Sequence, residues 1–230
     1  MTPVIQQHCL ALAHALQAKN ATMTTAESCT GGLIAASCTD LSGSSAWFER
    51  GFVSYSNDAK TEMLAVPSSL ILQHGAVSEA VAKAMALGAL AHSRAQFSVA
   101  VTGIAGPTGG SETKPVGTVW LAWAQIEPAQ CIAVRKVFLG NRQEVRLATT
   151  ELALTQLLKM VEGEMTDDRG QMTGAQILNL SSHFCHPSSQ LCHLPSLSSQ
   201  PNKQSPAPPA PHACSLKVHA IHPQQLFGAF

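Results

Sequence analysis

Apolar and polar positions alternate along this chain with two periods, and the switches between them mark out a succession of helices and strands up to about residue 163. "PVIQQHCLALAHALQAK" repeats its apolar residues at helical spacing and predicts a helix from Pro3 to Lys19. A short strand, Ala21 to Ala26, leads to a helix that opens at Gly31-Gly32 and continues through "LIAASCTDL". A strand around "FERGFVSYS" and a helix from Asn57 through "DAKTEMLAV" follow. A long alanine-rich helix is predicted from an N-cap at Ser78 to about Arg94. "FSVAVTG" is a short apolar strand entering a glycine-rich loop, Gly103 to Gly117, and "TVWLAWAQ" and "CIAVRKVFL" form a hairpin pair. The last helix starts at Asn141 with Glu144 as capping-box partner and runs to about Val161. Helices interleaved with strands predict an α/β layered fold around a mixed sheet.

From Glu164 onward no period holds, and eight of the thirteen prolines and six of the ten histidines fall in this part. "SSQPNKQSPAPPAPHA" has too little apolar surface to offset chain entropy. The expected division is a folded domain over residues 1–163 and a low-complexity, disordered tail over 164–230. Within the tail, "CHPSSQLCH" places Cys185, His186, Cys192 and His193 close together, but structural zinc sites pair ligands two to four residues apart across a longer loop. A biased, unstructured segment is the favoured reading, with no metal. The abrupt change in composition also fits an altered reading frame or a non-native extension.

Charge narrows the partners. Fourteen basic residues balance fourteen acidic ones, so no basic field points to nucleic acid or an anionic membrane. The N-terminus has no basic leader ahead of an apolar run, and no stretch reaches the roughly 18 apolar residues of a membrane span. Seven cysteines without a framework are read as reduced thiols in a cytoplasmic protein.

Four stretches carry candidate chemistry. "TTAESCTGG" lies at a strand-to-helix junction, where unpaired amides and small residues suit phosphate binding or an oxyanion. The plain alternative is that Ser28 or Thr30 caps the helix. "VTGIAGPTGGSETKPVG" is neither a Walker loop nor a dinucleotide fingerprint, and is read as a functional loop or a flexible one. "SYSNDAK" sets the only tyrosine, Tyr55, five residues before Lys60. A partly desolvated lysine beside a serine can act as general base, although a lone lysine is more commonly solvated. "GNRQEVR" places Arg142 and Arg146 one helical turn apart, either as a solvated face or as a clamp for phosphate or carboxylate. The four histidines before the tail, His8, His14, His74 and His92, all lie in predicted helices or their approaches, which makes lysine the better base.

In this order, "TTAESCTGG", "SSAWFERGFVSYSNDAK", "AVTGIAGPTGGSETKPVGTVW" and "GNRQEVR" resemble the CinA C-terminal domain family, the nicotinamide-nucleotide amidohydrolases, over residues 3–162. The resemblance implies a three-layer α/β/α sandwich, a homodimer, and hydrolysis of the carboxamide of nicotinamide mononucleotide to nicotinic acid mononucleotide and ammonia in pyridine-nucleotide recycling. It implies Ser28 as nucleophile, Lys60 as general base and Tyr55 as proton relay, with no metal and no cofactor. It implies Thr102 and Arg142 near the substrate, a small nucleotide, and the residues themselves add Thr30, Gly31 and Gly32 at the strand-to-helix junction and Gly103 in the glycine-rich loop as substrate-binding candidates, with that loop or Arg142 as holder of the phosphate. The physics fits: an amide needs a nucleophile, a base that returns its proton to ammonia, and donors for the oxyanion, for which the amides around Thr30 to Gly32 are candidates. Two rivals stand beside it: a module of the same fold that binds a nucleotide without turnover, and an enzyme whose nucleophile is Cys29, since thiols at helix N-termini acidify.

Overall fold

The computed structural model describes residues 1–165. The tail beyond Met165, including Cys185, His186, Cys192 and His193, lies outside the described residues. A five-stranded sheet forms the centre, in the order β2-β1-β3-β4-β5. Strands β1 (Met23–Glu27), β2 (Phe48–Val53) and β3 (Phe97–Gly103) run parallel; β4 (Thr118–Gln125) and β5 (Gln130–Val137) continue it antiparallel, as the expected hairpin.

Alternation along the strands separates two cores. Phe97, Val99 and Val101 of β3 and Val119, Leu121 and Trp123 of β4 face one side, against α1 (Pro3–Ala18), α2 (Leu33–Thr39) and α6 (Arg142–Glu162). Trp123 also donates its indole N–H to the Ala153 carbonyl at 2.9 Å, which satisfies the buried ring nitrogen and ties β4 to α6. Ala100 of β3 and Ala122 and Ala124 of β4 face the other side, with α3 (Asn57–Leu64), α4 (Ser68–His74) and α5 (Glu79–Ala91). The residues on that side are small, so α5 comes close. Gly88 lets it touch α3, because a Cβ there would collide with the Leu64 carbonyl. The result is the expected three-layer α/β/α arrangement.

The expected caps are present at Ser78, whose hydroxyl accepts from the Val81 amide, and at Asn141, where the full capping box with Glu144 forms. Gly163, with φ of +83°, closes α6. The short helix α4 was not anticipated: "SSLILQH" is two turns long and too brief for its period to show. Among the described residues no helix is long and apolar enough to cross a membrane.

The topology places the chemistry. Parallel β1 and β2 end in register, Glu27 beside Val53, and the ladder extends one step further as the Ser54 amide donates to the Glu27 carbonyl at 2.9 Å. The segments that leave the carboxyl ends of β1, β2 and β3 therefore gather at one edge, where open α/β sheets hold their ligands.

Candidate active site

Ser28 follows the last residue of β1 and is pinned to the neighbouring β3 by its amide, which donates to the Val101 carbonyl at 3.0 Å. Lys60 reaches the same point from α3. That helix is capped by Ser56, whose hydroxyl accepts from the Ala59 amide at 3.0 Å, so Lys60 lies in its first turn. Side chains on a helix lean toward its N-terminus, and Lys60 accordingly folds back over the segment after β2. Its Nζ donates to Ser28 Oγ at 3.2 Å and to the carbonyls of Ser54 at 3.0 Å, Tyr55 at 3.4 Å and Ser56 at 3.4 Å.

The ammonium is 1% exposed and, among the described residues, has no carboxylate as ion-pair partner. Burial lowers the Lys60 pKa from its ordinary value, since desolvation penalises the charged form; the neighbouring Cys29 opposes the shift weakly. In the neutral state the amine keeps two N–H donors for the carbonyls and turns its lone pair toward the Ser28 hydroxyl. An amine and a hydroxyl so placed have the geometry that a general base and a nucleophile require.

Cys29 is a different case. It is 6% exposed, and burial pushes its thiol up to about 12, which removes the thiolate a cysteine nucleophile needs. Of the described cysteines Cys9, Cys29, Cys38 and Cys131 are all free and buried.

Tyr55 is half exposed, and its hydroxyl accepts from Arg142 Nη2 at 2.9 Å rather than standing against the lysine; what Tyr55 gives Lys60 is its backbone carbonyl. Arg142 also donates to the Gly106 carbonyl at 2.7 Å, joining the start of α6, the glycine-rich loop and the segment after β2 across the site. Thr102 is buried, and its hydroxyl donates to the Ala76 carbonyl at 2.8 Å, so it fixes the turn before α5 against the end of β3. Gly103 ends β3 where a Cβ would press on the β4 backbone at Thr118.

A cavity of about 760 Å³ opens between the glycine-rich loop and α6, lined by Leu33, Ala105, Pro107, Val116, Arg142 and Arg146 among others. Its walls are mainly apolar, with two guanidinium groups. Neither guanidinium is ion-paired among the described residues, where the pairs are Arg50 with Glu49 and Lys83 with Glu79. No group of three His, Cys, Asp or Glu side chains among the described residues is placed to hold a metal ion.

Residues 6–161 match the CinA C-terminal domain family along that whole span. The chain belongs to this family. Within it, the chain is 56% identical over 143 residues to the nicotinamide-nucleotide amidohydrolase PncC of Escherichia coli K12, covering 62% of this chain and 86% of the relative. A Pseudomonas putida protein of the same name is 55% identical over 141 residues, covering 61% and 87%. Among solved structures, the competence/damage inducible protein CihA of Agrobacterium tumefaciens superposes with a TM-score of 0.68 at 44% identity, over 70% of this chain and 98% of that one.

Three details of this region differ from the reading of the sequence. Neither Ser28 nor Thr30 caps α2. The buried carboxylate of Glu27 does so, accepting from the amides of Gly32 at 3.1 Å, Ile34 at 3.0 Å and Ala35 at 2.8 Å, and from the Thr30 hydroxyl at 2.6 Å. The amides of Gly31 and Gly32 are consequently not free for an oxyanion, since Gly31 donates to the Ser28 carbonyl at 3.0 Å. Gly32, with φ of +94°, instead supplies the left-handed turn into α2. Arg146 also belongs to the site: its Nη2 and Nε hold the Thr30 carbonyl at 2.6 and 3.1 Å. Glu27 had one legible signal, an acidic residue ending an otherwise uncharged strand three positions before a threonine. Arg146 had only its spacing from Arg142.

Proposed function

We propose that this chain is an amidohydrolase that converts nicotinamide mononucleotide to nicotinic acid mononucleotide and ammonia through Ser28 and Lys60. The observation that carries the reading is the contact of 3.2 Å between Ser28 Oγ and the buried, unpaired amine of Lys60. The PncC name of relatives more than half identical to the chain supports the substrate. The two guanidinium groups on the cavity wall support an anionic ligand, with Arg142 the first candidate for its phosphate.

Ser28 Oγ attacks the carboxamide carbon as its proton passes to neutral Lys60. Lys60 then gives that proton to the departing nitrogen, the C–N bond breaks, and ammonia leaves an ester on Ser28. Water attacks the ester, Lys60 takes one of its protons, and the Ser28 hydroxyl is restored as the carboxylate product departs. Tyr55, held by Arg142, borders this chemistry without a hydroxyl contact to the lysine.

The test is ammonia release from a panel of amidated nucleotides. Nicotinamide mononucleotide is expected to be turned over. Saturable binding of it without product on long incubation would establish the binding-module alternative. A second check separates the neighbouring nucleophiles: Cys29→Ala, which removes the thiol and keeps the backbone, is expected to hold kcat within about threefold of wild type, because a thiol at about 12 is protonated at neutral pH. A complete loss would return Cys29 to the nucleophile role.

A further inference from the structure

The two arginines on the cavity wall hold different things. Arg142 reaches the Gly106 carbonyl and the Tyr55 hydroxyl, which belong to two separate segments. Arg146 directs both Nε and Nη2 at one acceptor, the Thr30 carbonyl, at 3.1 and 2.6 Å. A guanidinium grips a phosphate or carboxylate through such a pair of parallel donors, and here a backbone carbonyl occupies them. That carbonyl belongs to a buried residue two positions after Ser28.

The turn that Arg146 grips carries the nucleophile and has little stiffness of its own. The Gly31 amide closes it by donating to the Ser28 carbonyl at 3.0 Å. Gly31 and Gly32 have φ of +61° and +94°, a region that glycine enters and leaves without steric cost. The position of the turn therefore depends on ties to the elements around it. On the sheet side the Ser28 amide is tied to Val101 of β3, and the Thr30 hydroxyl to Glu27 at the end of β1. Arg146 supplies the tie on the helix side. Its own base is firm: α6 starts in the capping box of Asn141 and Glu144, the adjacent Val145 lies in the core, and the Thr150 hydroxyl donates to the Arg146 carbonyl at 2.9 Å.

We propose that Arg146 is a positioning residue for the nucleophile: its forked contact with the Thr30 carbonyl clamps the Ser28 turn to α6 and keeps Ser28 Oγ at its 3.2 Å contact with Lys60. The inference rests on the amidohydrolase reading of Ser28. Arg146 makes no bond to the reacting atoms; it acts through the turn. Misplacing a reacting group by about 1 Å can cost on the order of 10²-fold in rate, even when the change lies away from the chemistry. Substrate that is already bound is then attacked more slowly, so the loss falls on kcat rather than KM. A lysine in this place keeps the charge, but as a point donor on a flexible stem it cannot hold one carbonyl through two bonds.

The experiment is steady-state ammonia release from nicotinamide mononucleotide beside a thermal melt, on the full chain carrying Arg146→Lys or Arg146→Ala. Arg146→Lys is expected to melt cooperatively and to lower kcat by about 10- to 100-fold, with KM held within about threefold. Arg146→Ala removes a side chain that lines the open cavity, and added guanidinium ion is expected to restore kcat by about tenfold from that side. Methylammonium, which has the charge without the fork, is expected to restore none of it. An unchanged kcat in Arg146→Lys overturns the proposal, as does a loss carried by KM alone, which makes Arg146 a binding group for the ligand's anion. Recovery by both cations alike, or by neither, overturns the forked contact as its basis. An Arg146→Lys protein that does not fold assigns the residue to stability and overturns the positioning role. A wild-type chain that releases no ammonia overturns the amidohydrolase reading and this inference with it, whereas active wild type with equally active Arg146→Lys removes only the latter.

Discussion

Ser28→Ala is expected to abolish ammonia release from nicotinamide mononucleotide while the protein remains folded. The hydroxyl is the group that forms the ester, and no other side chain at this position substitutes for it: Cys29 is buried with its thiol pushed up to about 12, and Thr30 has its hydroxyl committed to Glu27. Loss of a nucleophile that works as a unit with its base costs on the order of 10⁶-fold in kcat in serine hydrolases. Stability should change little, because the Ser28 side chain has Lys60 as its protein partner and Lys60 keeps three carbonyl acceptors after the change. The measurement is a steady-state ammonia assay beside a thermal melt, and undiminished release would take the nucleophile role from Ser28.

Lys60→Met carries the second large effect. A positioned general acid-base group contributes roughly 10²- to 10⁴-fold, and the methionine, of similar length, fills the space without a lone pair or a proton. Because serine and lysine act together, the double variant with Ser28→Ala should be no slower than Ser28→Ala alone. The pH profile of wild type gives an independent reading. The base form is neutral lysine, so kcat/KM rises as pH rises through the Lys60 pKa, and the rising limb must lie below the ordinary lysine value of 10.5 because burial lowers it. Stability follows the same sign. Between the lowered pKa of the folded state and the ordinary one of the unfolded state the unfolded chain binds more protons, so stability rises with pH across that window. Lys60→Met should lose both the rising limb and that slope. A profile unchanged in Lys60→Met would assign the base elsewhere.

The sequence was strong on elements and motifs because each depends on neighbours in the chain. The strand "FSVAVTG" occurs as Phe97–Gly103, and the capping box of Asn141 and Glu144 opens α6 where the spacing placed it. Ser28 and Lys60 were legible as a pair through the family resemblance, and the fold supplies the physical link: Glu27 and Val53 pair in register, Ser54 follows Val53, and Lys60 in the first turn of α3 folds back onto the carbonyls of Ser54 to Ser56. Tyr55 shows the limit of reading from spacing. Its place five residues before Lys60 fits a relay between the two side chains, yet its hydroxyl meets Arg142, 87 positions away.

By itself, then, the sequence determined the α/β layering, the order of helices and strands apart from α4, and the residue types gathered at the candidate site, since periodicity, caps and motifs are local properties of the chain. Only the tertiary structure decided which groups are spent and which are left available. That Glu27 takes the first amides of α2, that Arg146 holds the Thr30 carbonyl 116 positions away, and that Lys60 is desolvated without an ion-pair partner among the described residues are outcomes of packing between distant segments. Hydrogen-bond pairing and burial are set by which elements meet in space, and no spacing along the chain contains that information.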